Sequence, residues 1–100
     1  MVKNTYDEKV DKEAVRELKL YEENNSDLYF KSKKPIYENL DKKRAKGIYD
    51  KDKSEKLFKY HADRSSKAYE KEHGHKFTVG ERKALAKELR EEYEEERNFK

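Results

Sequence analysis

Reactive chemistry in this chain would have to come from three histidines, a few serine–carboxylate groupings and two blocks of charge. His61, Asp63 and Ser65-Ser66 supply a base, an acid and nucleophiles within five positions. All of them fall in one predicted helix, where side chains that close in sequence do not form a relay beside an oxyanion hole. His61 falls on the apolar face of that helix, where a hydrogen-bonded, half-buried histidine explains it at least as well as catalysis does. His73-Gly74-His75, with Glu70 or Glu72 beside it, offers metal-ligating types. A structural zinc site needs four ligands, and the chain has no cysteine, so surface histidines at a helix end are expected instead. Asp50, Asp52 and Ser54 open like a calcium loop, but its sixth position is Glu55 rather than Gly and its twelfth is His61 rather than Glu. Asp50 therefore reads as a helix cap. The glycines stand isolated at 47, 74 and 80, which rules out a glycine-rich phosphate loop. No catalytic residue, metal site or cofactor is expected from these groupings.

Charge is the stronger signal. Of the 100 residues 49% are charged, yet the net charge is only +3. Residues 1–30 carry five basic and eight acidic groups, and residues 31–60 carry eleven and five. The basic excess gathers at Lys31, Lys33, Lys34, Lys42, Lys43, Arg44 and Lys46, interleaved with Tyr29, Phe30 and Tyr37. Cations draw phosphates and aromatic faces stack on bases, so residues 29–46 are a candidate nucleic-acid contact. Glu38, Asp41, Asp50 and Asp52 dilute that field, and the basic stretch holds a single Arg, the usual bidentate reader of phosphates and base edges. The acidic counterpart is Glu91, Glu92, Glu94, Glu95 and Glu96, interrupted by Tyr93. Such a helix end could dock on a basic partner or occupy a nucleic-acid groove, with Tyr93 as its anchor. A solvated end braced by Lys87–Glu91 and Arg90–Glu94 pairs is the plainer reading. The candidate partner-binding set is thus Lys31, Lys33, Lys34, Lys42, Lys43, Arg44 and Lys46 with Glu91, Glu92, Tyr93 and Glu95.

These residues must be carried by helices. Leu, Ile, Val and Phe make only 17% of the chain and mean hydropathy is -1.55, values typical of disordered chains. The low net charge and the helical periodicity of the apolar residues oppose disorder. One domain with a thin core is expected, its eight tyrosines keeping their hydroxyls at the margin. A first helix should run from Glu8 to Glu23 with Val10, Ala14, Val15, Leu18 and Tyr21 on one face, and Asn24-Asn25-Ser26 should end it. A second should follow from an Asn25 or Ser26 cap to Lys46, kinked or split near Lys31–Lys34 because Pro35 lacks a backbone donor and clashes one turn back. Gly47 should stop it. Asp50 should cap a third helix over Lys51–His73, with Leu57, Phe58, His61, Ala62, Ser65, Ala68 and Tyr69 facing inward and Gly74 at its end. Thr78 and Glu81 form a capping box for a last helix from Val79 to Arg97, with Leu85, Ala86, Leu89 and Tyr93 inside. The fold class is all-α: a compact four-helix bundle over residues 1–100, with 1–7 and 98–100 frayed. Nothing approaches the ~18 apolar residues of a membrane span, the first residues are unlike a signal peptide, and a cytoplasmic protein is expected.

The stretch Lys43-Arg44-Ala45-Lys46-Gly47-Ile48-Tyr49-Asp50, with Leu57-Phe58 and Ala68-Tyr69-Glu70-Lys71-Glu72, resembles small uncharacterised open reading frames of phages and mobile elements. The resemblance implies that kind of origin, hence a host cytosol, and carries over no functional residue. Small helical proteins of this kind bind and divert host machinery, defence nucleases included. The expectation is a non-enzymatic regulatory or inhibitory protein that binds a host protein. Direct nucleic-acid binding through 29–46 is its first alternative, and a structural homo-oligomer the second.

Overall fold

A computed structural model describes residues 10–97. Among them there are four helices and no strand. Helix α1 spans Lys12–Glu23. Helix α2 has three stretches: an α turn Ser26–Leu28, a π segment Tyr29–Lys33 and an α segment Lys34–Ala45. Helix α3 spans Lys51–His73, and α4 spans Val79–Glu96. The all-α architecture read from periodicity is the one observed. The ends expected to fray, 1–7 and 98–100, lie outside the described residues, as does the expected helix start at Glu8. Val10, expected on the first helix, precedes it and is exposed, because Asp11 takes the cap and accepts from the Glu13 amide at 2.9 Å.

The other starts and stops follow from capping chemistry. Asn25 rather than Ser26 caps α2 through the Leu28 amide, at 3.1 Å. Asp50 accepts from the Lys53 amide at 3.0 Å. In the capping box, Thr78 Oγ1 accepts from the Glu81 amide and Glu81 Oε1 accepts from the Thr78 amide. Glu81 Oε2 also accepts from the Asp11 amide at 3.0 Å, fastening the start of α1 to the start of α4. Gly47 and Gly74 end α2 and α3 at φ 74°, a left-handed conformation that favours glycine.

Pro35 neither breaks α2 nor ends it. The helix widens just before it, and the Lys34 amide reaches back five residues to the Tyr29 carbonyl. One residue is thereby taken up in the wide turn, the usual form of a π bulge.

The core draws on every helix: Val15 and Leu18 from α1, Ile36 and Leu40 from α2, Phe58 and Ala62 from α3, and Leu85, Ala86, Leu89 and Tyr93 from α4, with Phe77 beneath the α3–α4 turn. Small Ala62 and Ser65 on α3 are buried, and α3 packs most extensively on α4. Tyr93 sits amid an aromatic cluster, edge-on to Tyr37 at 4.9 Å and stacked on Tyr49 at 6.0 Å. Tyrosine hydroxyls do end at carboxylates on the core margin: Tyr93 on Asp41 (2.6 Å), Tyr49 on Glu94 (2.9 Å), Tyr21 on Glu72 (2.9 Å) and Tyr69 on Glu17 (3.1 Å). The molecule is a slab of 41 × 38 × 17 Å, about two helix layers thick.

Candidate functional site

The first grouping that could do chemistry is internal. His61 is fully buried; its Nε2 lies 2.8 Å from Glu22 Oε1 and its Nδ1 lies 2.8 Å from Ser32 Oγ. The three residues come from α3, α1 and the π segment of α2. Burial pushes the Glu22 carboxyl up, but the His61 hydrogen bond and the Lys33 charge, 3.4 Å away, outweigh it and hold it below the usual carboxylate range. An ionised carboxylate only accepts, so Nε2 carries the proton that faces Glu22, while Nδ1 and the Ser32 hydroxyl share the second hydrogen bond. Chemically this is a serine–histidine–glutamate relay. Ser32 is only 6% exposed, however, and the clefts described below do not reach it. The arrangement pins three helices together. His61 was legible as an inward, hydrogen-bonded histidine, expected half-buried and found fully buried. Ser32 and Glu22 were not, because neither belongs to an apolar pattern.

His73 and His75 pack on aromatic rings: His73 lies 4.5 Å from Tyr69 and His75 lies 4.6 Å from Phe77. No three metal-ligating side chains converge among the described residues.

The expected partner-binding residues differ in their surroundings. Lys31, Lys34, Lys42 and Lys46 are exposed on α2. Lys34 leans over Phe30 (5.7 Å), which is 61% exposed and edge-on to Tyr29. Lys33 turns inward to Glu22, and Arg44 donates to the Arg97 carbonyl. Lys43 faces α3. On α4, Glu91 and Glu95 are exposed, whereas Glu92 is ion-paired with Lys19. Tyr93 corrects the expectation of a surface anchor: it is fully buried, because its position in the α4 periodicity is the core position one turn after Leu89.

A different surface is continuous. Lys53, Lys56, Tyr60, Arg64, Lys67 and Lys71 follow one another at steps of three and four along α3, and all six are exposed. They form a ridge roughly 27 Å long at the 1.5 Å helical rise. They stand outward because the opposite face of α3 carries buried Phe58, His61, Ala62 and Ser65. None of the five cations has an ion-pair partner among the described residues. Two of the nearby acids are already engaged: Asp63 with Lys59 (3.1 Å) and Arg82 (3.2 Å), Glu55 with Arg90 (2.8 Å). Tyr60, at the middle of the ridge, is 69% exposed.

Openings border the ridge on both sides. On the α2 side, Pro35, Ile36, Asn39, Lys43, Lys53 and Leu57 line a groove of about 370 Å³. On the other side, a cleft of about 440 Å³ lies between α3 and the turn into α4, with Tyr60, Arg64, Ser66, Lys67, Lys76, Phe77 and Arg82 among its walls. The sequence reading missed the ridge because it followed runs of basic residues. Its signal was the helical spacing of cations on the outer face of α3.

The chain matches no family model, no curated protein and no solved structure.

Proposed function

We propose that this is a non-enzymatic nucleic-acid-binding protein that lies along the phosphate backbone with the outer face of α3. The observation that carries the reading is the ridge of five cations without an ion-pair partner among the described residues, broken only by an exposed tyrosine. Unpaired cations at helical spacing gain free energy chiefly by releasing counterions from a polyanion. Lys43, across the groove from Lys53, extends the field onto α2. The alternative in which the acidic end of α4 docks on a host protein loses its anchor with Tyr93 in the core. A small chain that covers nucleic acid would regulate or inhibit the enzymes that process it, in keeping with the role implied by its resemblance to phage and mobile-element reading frames.

Fluorescence anisotropy with labelled oligonucleotides tests this. Binding should weaken steeply between about 50 mM and about 200 mM salt, with a log–log slope near −0.7 to −0.9 for each phosphate neutralised. Reversing Lys53, Arg64 and Lys67 to Glu should abolish binding. Reversing Lys42, Lys43 and Arg44 should weaken it less. Absence of binding to any oligonucleotide at low salt, or binding that survives the α3 reversal, overturns the reading; an acidic protein would then be the occupant to seek.

A further inference from the structure

We propose that the cleft beside Tyr60 seats one unpaired nucleotide, so that the ridge takes single-stranded nucleic acid in preference to duplex. The proposal rests on the nucleic-acid reading above and specifies its ligand.

A ridge of cations alone would accept any polyanion. This ridge has a cavity beside its midpoint and an aromatic ring at the rim. Tyr60, 69% exposed, presents a ring that the core does not use. Such a ring on a cationic track is the stacking platform of proteins that bind single strands. A duplex keeps its bases stacked and paired, and so offers a helix face only phosphates and groove edges. The exposed tyrosine would then have no counterpart.

The cleft, at about 440 Å³, falls within the range of small-ligand sites. Its floor includes Phe77 and Ser66, at 4% and 6% exposure. Phe77 is apolar, and the Ser66 hydroxyl offers both a donor and an acceptor to a base edge. Arg64 and Lys67 rise on the α3 side, with Lys76 on the turn opposite, and none of the three has an ion-pair partner among the described residues. They would hold the phosphates on either side of the seated nucleotide. Glu70 also lines the cleft. Its carboxylate opposes a dense polyphosphate and can accept from the exocyclic amino group of a base. This mixture of cations outside, an apolar floor and a hydrogen-bonding wall suits a nucleotide better than a bare phosphate.

The test compares a labelled single strand of about 12 nucleotides with the corresponding duplex, a length within the site sizes of such proteins. Wild-type protein should bind the strand more tightly. Tyr60→Ala should weaken strand binding about tenfold, the loss of one stacked base, and change duplex binding less than about twofold. Its helical circular dichroism should stay unchanged, since the ring is outside the core. Tyr60→Phe should restore strand binding, because stacking needs the ring and not the hydroxyl. Equal affinity for strand and duplex, with Tyr60→Ala neutral, overturns the nucleotide seat and leaves the ridge reading standing. Failure to bind either ligand at low salt overturns both.

Discussion

At the scale of single residues, the buried Glu22–His61–Ser32 network is where the fold is most exposed to failure. Removing His61 leaves Ser32 and one oxygen of Glu22 buried without that hydrogen bond, Glu22 keeping only Lys33, and an unsatisfied buried polar group costs about 1–3 kcal/mol. His61→Ala should therefore lower the stability measured by urea unfolding by about that amount. The network also carries a pH dependence. Glu22 is held below its ordinary value in the folded chain, so the folded state favours the ionised form. Its contribution is complete above the unfolded-state value of about 4.3 and is lost as pH falls through the lower folded value. The thermal midpoint should drop on acidification from about pH 5 to about pH 3, and Glu22→Gln should flatten that drop. Asp41, lowered by its hydrogen bond to Arg97, acts in the same direction. Tyr93→Phe isolates a different contact. It keeps the ring in the core and removes the hydroxyl bonded to the Asp41 carboxylate at 2.6 Å. The expected cost is about 2 kcal/mol, the range for a hydrogen bond to a charged group. Apolar periodicity made Tyr93 legible as a core residue; reading it also as a surface anchor let its acidic neighbours override its own position.

Among the elements, the boundaries were the most legible part. Asp50, Thr78, Gly47 and Gly74 act at the positions where cap chemistry puts them, since capping is a local interaction between neighbouring residues. Thr78→Ala should cost about 1 kcal/mol in thermal or urea unfolding. Gly74→Ala should cost a similar amount. A Cβ there would meet nothing within 4 Å, so the cost is the left-handed backbone alone. The π segment was legible only as trouble near Pro35. Its real signal was phase. Leu28 and Ile36, both buried, are eight residues apart, which in a regular α-helix leaves them roughly 80° out of register. Leu28 and Leu40, twelve apart, are out by roughly 120°. One extra residue in a wide turn brings both pairs nearly into line. The same turn delivers Ser32 to His61. Expecting a kink or split near Lys31–Lys34 located the irregularity but not the extra residue that produces both consequences.

For the whole molecule, the interface is a property of the surface that adjacent residues in sequence do not reveal. The basic segment around Lys31–Lys46 is divided by the fold: Lys33 turns inward to Glu22, Lys43 lines a groove and Arg44 reaches the Arg97 carbonyl. The α3 ridge is assembled from five cations and Tyr60 at steps of three and four, and three of the cations lie outside the segment of greatest basic excess. The 17 Å thickness of the slab has a separate consequence for exchange of backbone hydrogens. Two helix layers enclose a single core, so no part of it can open and leave a second core intact. The slowest amides should lie at the middle of α3, around Phe58–Ala62, and of α4, around Leu85–Leu89. They should share one exchange free energy equal to that of global unfolding, while the helix ends exchange by fraying. Deuterium uptake followed by NMR, residue by residue, would reveal two protected stretches of unequal stability if the slab were instead two independently folding halves.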